Sequence, residues 1–102
     1  MQTIHIELSP LLANKYESIV QAFGTEELLF DKFIEFHIQK LQKEILVIQS
    51  DLHTFEQKYA TSSTDFYVKF ENGEYDDTND FILWSGLYQM QLLCKQKLDK
   101  LL

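Results

Sequence analysis

The chain has 102 residues, enough for one domain with a modest core. Hydrophobic residues at 45% and aromatics at 14% argue against wholesale disorder, and three Gly with one Pro give the profile of a mostly helical protein. The net charge is -7, from 16 acidic and 9 basic residues, and every basic residue is Lys; without Arg, tight nonspecific binding of nucleic acid is disfavoured.

Thr3-Ile4-His5-Ile6-Glu7-Leu8 alternates polar and apolar residues at period two, the pattern of a half-buried strand. One strand alone leaves its backbone groups unpaired. The same strand from a second copy, related by a two-fold axis, is the simplest complement, so the expectation is an obligate homodimer. The same segment has no basic region followed by an apolar run and is not expected to be a signal peptide.

Ser9-Pro10 signals a helix start, with Ser at the N-cap and Pro in the first turn. Leu11, Leu12, Tyr16, Ile19, Val20 and Phe23 recur at helical spacing until Gly24. Thr25 can cap the next helix at once, with Glu26 and Glu27 at its positive end. No Gly or Pro interrupts Thr25 to Tyr59. Within that run Ile34, Ile38, Leu41, Ile45, Ile48, Leu52, Phe55 and Tyr59 follow alternating steps of four and three. This 3.5-residue repeat makes a seam that needs a partner helix, from the same chain or a second one.

Ser62 followed by Asp65 resembles a capping box, and Asp65 to Glu71 reads as a short helix closed by Asn72-Gly73. Glu74 to Asp80 reads as an acidic loop, and Asp65 to Asp80 holds six acids against one Lys. Phe81 then begins a last helix, with Leu83, Leu87, Met90, Cys94, Leu98 and Leu101 as its stripe. Phe81, Trp84 and Tyr88 lie beside that stripe.

Asp76, Asp77 and Asp80 lack the Gly and terminal Glu of a calcium loop; they read as acids complementing the dipole of the last helix. His37 and His53 are sixteen residues apart on one helix, too far to share a metal, so no metal or cofactor is expected. Cys94 is the only cysteine, which rules out an intrachain disulfide, fits a cytoplasmic protein and leaves a small core residue. There is no phosphate loop and no nucleophile elbow, so an enzyme is not expected. The longest aliphatic run, Ile45-Leu46-Val47-Ile48, is far too short to span a membrane.

Strand, Ser-Pro helix, Gly turn and capped second helix over Thr3–Leu41 resemble the ribbon-helix-helix family of regulators. That resemblance implies an intertwined dimer whose paired strands enter the DNA major groove. Thr3, His5 and Glu7 would then face the bases of operator DNA, and the backbone at Thr25 would hold a phosphate. This chain departs from the family in carrying Glu7, where members commonly carry Lys or Arg. Residues 1–45 also hold four Lys against seven acids.

Lys58-Tyr59, Ser63, Asp65-Phe66-Tyr67, Phe70, Gly73, Asp77, Asp80-Phe81, Trp84 and Gly86-Leu87-Tyr88 resemble the C-terminal half of small antitoxin-like proteins of cyanobacteria and archaea. The Gly those proteins carry before Ser63 is replaced here by Ala60-Thr61. The resemblance implies a toxin-binding tail, with Phe66, Tyr67, Phe70, Asp80, Phe81, Trp84 and Tyr88 against a basic, RNA-cleaving toxin. The alternative role for the aromatic cluster is an internal core.

The expectation is a mainly α fold: an N-terminal ribbon-helix-helix dimer, a long heptad-bearing helix and a C-terminal helical extension. Residues 1–45 would dimerise and contact DNA, 46–60 extend the helix as a coiled-coil-like segment, and 61–102 bind the partner. The functional expectation is a homodimeric antitoxin of a type II toxin–antitoxin pair. The alternative is a structural or adaptor homodimer that binds no DNA.

Overall fold

The computed structural model describes all 102 residues, Met1–Leu102. It is helical, with α1 at Pro10–Phe23, α2 at Glu26–Tyr59, α3 at Ser63–Glu71 and α4 at Asn79–Asp99. It divides into two compact units, Met1–Phe36 and His37–Leu102. The division falls inside α2, earlier in the chain than the expected boundaries after residues 45 and 60.

The helix ends are set by the caps the sequence announces. Ser9 is extended and its hydroxyl accepts from the Leu12 amide at 3.4 Å. Gly24 closes α1 at φ 98°, donating its amide to the Val20 carbonyl at 2.8 Å. A side chain rarely adopts that φ, so the turn needs glycine. Thr25 Oγ1 accepts from the Leu28 amide at 3.1 Å, and Ser62 Oγ from the Asp65 amide at 3.2 Å. Two starts lie two residues earlier than expected: α3 begins at Ser63, and α4 at Asn79 behind Thr78, whose hydroxyl accepts from the Phe81 amide at 3.4 Å. Thr78 stands among acids with no apolar period before it, so its capping role was not visible.

The expected strand at Thr3–Leu8 is absent: Met1–Ser9 contains neither helix nor strand. A strand is defined by its ladder, and no second extended segment in this chain is available to pair with it. Nothing in Met1–Phe36 is buried. Tyr16 of α1 and Phe30 of α2 meet with ring centroids 6.3 Å apart, but Ile4, Ile6, Leu11 and Phe33 remain more than half exposed. Helices hold together in water by burying an apolar face, and this unit leaves its apolar faces open.

The His37–Leu102 unit has a core. Leu41, Ile48 and Leu52 of the α2 seam are buried with Phe66 of α3 and Trp84 of α4. Ile38, Ile45, Phe55 and Tyr59 are half-buried, and Ile34, in the other unit, is exposed. Contacts place α4 antiparallel to the second half of α2. Asp80 meets Lys58 at 2.7 Å, Trp84 stacks on Phe55 at 5.6 Å, Gln91 meets Gln49 at 2.9 Å and Cys94 meets Glu44 at 3.7 Å. The α2 number falls as the α4 number rises, as antiparallel packing requires.

The inward face of α4 corrects the expected stripe. Trp84, Ser85 and Gln91 are buried, while Leu83 and Met90 are more than half exposed and Leu101 is also exposed. Leu87, Cys94 and Leu98 are half-buried. Trp84 buries the largest apolar area and sets the helix rotation. Gln91 follows it inward because its amide donates to Gln49 Oε1, so no polar atom is left without a partner.

Ala60, just past the end of α2, has φ 53°. The left-handed conformation costs an L-residue about 1–2 kcal/mol, partly offset by the lower entropy of Ala in the unfolded chain. Ala60→Gly is therefore expected to raise stability by about 0.5–1 kcal/mol. Urea unfolding monitored by Trp84 fluorescence measures it: a higher midpoint at unchanged slope is the expected result.

Candidate functional site

The C-terminal unit is organised on Trp84. Its ring stacks on Phe66 at 3.8 Å with the planes 3° apart, and both side chains are fully buried. Phe55 and Tyr59 of α2 also stack on the indole, at 5.6 and 5.7 Å. The indole Nε1 donates to Ser63 Oγ at 2.8 Å, and the Ser63 amide donates to Glu56 Oε2 at 2.8 Å. One chain of bonds thus joins α4, the first residue of α3 and α2. Ser63 is small enough to be buried there and supplies the acceptor that a buried indole requires.

Around this centre lie half-buried aromatics. Phe81 contacts Tyr59 at 5.0 Å and Phe66 at 5.6 Å; Tyr67 contacts Tyr88 at 4.7 Å; Phe70 contacts Phe66 at 5.5 Å. The Tyr67 hydroxyl accepts from Gln89 Nε2 at 2.8 Å. Tyr75 also belongs to the cluster, at 5.0 Å from both Phe66 and Phe81. Sequence reasoning missed Tyr75 because one aromatic in an acidic loop has no periodicity. It missed the Gln49–Gln91 bond because polar residues rarely mark a core.

Of the seven residues expected to contact a partner, Phe66 and Trp84 have no surface to offer. Their place is the core, because α2 and α3 close over both rings. Tyr67, Phe70, Asp80, Phe81 and Tyr88 are half-buried and retain an exposed edge. Exposed Glu71, Glu74, Asp76 and Asp77 lie between Phe70 and Phe81 in the chain and give this aromatic surface an acidic rim.

Asp80 joins two residues of α2 rather than serving only the helix dipole. Its Oδ2 accepts from Lys58 Nζ at 2.7 Å and from the Tyr59 hydroxyl at 2.5 Å. The hydrogen bond from Lys58, and next that from Tyr59, hold the Asp80 carboxyl below its ordinary range. The same bonds to Asp80 raise Lys58 and Tyr59 above theirs. A lowered carboxyl contributes stability above its unfolded value, about 4, and loses it as pH falls through the folded value. The raised Lys and Tyr contribute below about 10 and lose it as pH rises through their folded values. The expected result is a stability plateau between about pH 4 and 10. Asp80→Asn should flatten the acid limb of a plot of urea midpoint against pH. An unchanged acid limb would show that the cluster contributes nothing.

The residues expected at DNA lie in the other unit. Thr3, His5 and Glu7 are exposed, with His5 Nε2 3.9 Å from Glu7 Oε1. Thr25 is engaged as a helix cap. Ile4, Ile6, Leu8, Tyr16, Phe30 and Ile34 line a broad groove of ≈ 1020 Å³, with the carboxylates of Glu26, Glu27 and Asp31 at its edge. The Tyr16 hydroxyl is shifted up, first by desolvation and then by Glu26.

No family model, curated protein or solved structure matches this chain. No three His, Cys, Asp or Glu side chains gather as a metal site. The Cys94 thiol is pushed up, chiefly by burial and then by Glu44, which disfavours the reactive thiolate. No helix is long and apolar enough to cross a membrane. What the chain offers is surface: an apolar unit with no core of its own, and an aromatic face with an acidic rim.

Proposed function

We propose that this protein is the antitoxin of a type II toxin–antitoxin pair and acts as a homodimer. The observation that carries the reading is the contrast between the two units. Met1–Phe36 has no fully buried residue, only half-buried Ala13, Tyr16, Val20 and Leu29, although Ile4, Ile6, Leu11 and Phe33 supply the apolar residues of a core. A unit of this size, below about 40 residues and without a disulfide or metal, ordinarily folds by oligomerising. Two copies pairing residues 3–8 as an antiparallel ribbon satisfy that backbone and cover Ile4, Ile6 and Leu8 together. The resemblance of Thr3–Leu41 to ribbon-helix-helix regulators supports the same arrangement.

The C-terminal unit supplies the neutralising surface. Tyr67, Phe70, Phe81 and Tyr88 present aromatic edges, anchored from beneath by Phe66 and Trp84 and rimmed by acids. Tyr is among the residues that dominate interface energies, and an acidic rim steers a basic partner. Masking is stoichiometric and non-catalytic. Co-expression with the product of the neighbouring gene tests it: a complex that co-elutes on a sizing column is expected, and separate elution would count against the reading.

A second reading is favoured by one observation. Glu7 is almost wholly exposed beside His5, on the strand face that would meet the bases, and a carboxylate there opposes a phosphate backbone. In this reading the same homodimer is a structural or adaptor protein that binds no DNA. A gel-shift titration against the upstream region separates the two. A specific shift that weakens with salt supports operator binding, and no shift at low salt supports the second reading.

A further inference from the structure

The outward side of α4 carries a second heptad. Leu83, Gly86, Met90 and Leu93 follow steps of three, four and three, and Lys97 continues the series. Met90 and Leu93 lie on the side of α4 away from Trp84, Gly86 is half-buried between the two sides, and Leu83 lies at the α2 edge beside Asp51, Thr54 and Phe55. Leu83 is 55% exposed, Met90 53% and Leu93 54%, and Ile82 beside them is 54% exposed. An apolar seam at coiled-coil spacing with nothing over it calls for another helix.

Gly86 is the independent sign. It lies inside α4, where Gly costs about 1 kcal/mol relative to Ala. A Cβ added there would meet nothing within 4 Å, so the fold of the chain itself gives no reason for glycine. On an exposed apolar seam, a missing side chain makes a notch into which a neighbouring side chain can fit.

We infer that α4 pairs antiparallel with α4 of a second copy of this chain, with Met90 of each copy seated over Gly86 of the other. The seam is self-complementary about a point near residue 88. When Gly86 opposes Met90 of the second copy, Leu83 opposes Leu93, and a large side chain meets the notch on both sides of the axis. This is the isologous relation that a two-fold interface requires. The charges agree. Exposed Glu74, Asp76 and Asp77 lie just before α4, and at its end exposed Lys95, Lys97 and Lys100 outnumber exposed Asp99. Antiparallel pairing brings the acidic end of each helix to the basic end of the other, whereas parallel pairing would set like charges together. A second copy therefore fits this face better than a uniformly basic partner. The pairing is separate from that of Met1–Phe36 and from the aromatic edges around Tyr67 and Tyr88.

Thiol cross-linking of the full-length chain tests it. In a Cys94→Ala background, Leu83→Cys and Leu93→Cys are introduced together and singly, and treated with a short bismaleimide. The double variant is expected to give a covalent dimer on a denaturing gel. Each single variant should give little, because like positions lie ten residues apart along the paired helices, about 15 Å at ~1.5 Å per residue. Adding Gly86→Glu should remove the covalent band while circular dichroism shows the helices intact. Absence of the band in the double variant, equal bands in the single variants, or a band that survives Gly86→Glu would overturn the pairing. So would thiols that become protected only when the neighbouring gene product is added, which would give the face to that protein. Homodimerisation through Met1–Phe36 predicts none of these patterns, so the two interfaces succeed or fail separately.

Discussion

Trp84→Ala is expected to cost about 3–5 kcal/mol and to unfold the C-terminal unit at ordinary temperatures. The indole is fully buried between Phe66 and the α2 rings Phe55 and Tyr59, so its removal leaves a cavity bounded by three helices. It also leaves buried Ser63 Oγ without the donor it accepts from. Trp84→Phe separates the two contributions. It keeps a ring on Phe66 but removes the N–H, and should cost about 1–3 kcal/mol, the range for leaving a buried polar group unsatisfied. Thermal unfolding followed by circular dichroism reads both variants. A small loss for Trp84→Ala would mean that the aromatic stack is not the centre of the unit.

Ile6→Asp should dissociate the proposed homodimer. If pairing buries Ile6 in both copies, each loses about 1.5–3 kcal/mol of apolar burial, together about 3–6 kcal/mol. At 1.4 kcal/mol per factor of ten, the dimer Kd should rise roughly 10²–10⁴-fold, before the added cost of placing a carboxylate in the interface. Thr3→Asp is the control, since it adds the same charge on the other side of an alternating strand. A greater effect from Thr3→Asp than from Ile6→Asp would reverse the assignment of the two faces.

The helix ends were legible because capping is local. Ser9-Pro10, Gly24-Thr25 and Ser62 each act over three or four residues, and each acts as expected. The α2 seam was legible because its period persists, and Leu41, Ile48 and Leu52 are its buried members. The rotation of α4 was not. Two apolar stripes run along that helix, and counting aliphatic residues chose the one that includes Leu83 and Met90. Trp84, Gln49 and Ser63 select the other, through contacts from residues 21 and 42 positions away. The aromatic residues of the candidate site fall in one cluster, yet their division into core and surface depends on where α3 lies. Tyr75 and Thr78 had no period to reveal them. The strand expected over residues 3–8 differs in kind, since the single chain has no second extended segment to pair with it.

Sedimentation equilibrium of the unaltered chain over a wide concentration range, with amide exchange measured on the same sample, decides whether the N-terminal unit folds by pairing. Pairing through residues 3–8 predicts the mass of an assembly of at least two copies at every concentration where α1 and the start of α2 are protected. Slow exchange across residues 3–8 should appear and disappear with that assembly. A single-copy mass with residues 10–36 still protected would contradict it, for those helices would then hold together with no fully buried apolar residue between them.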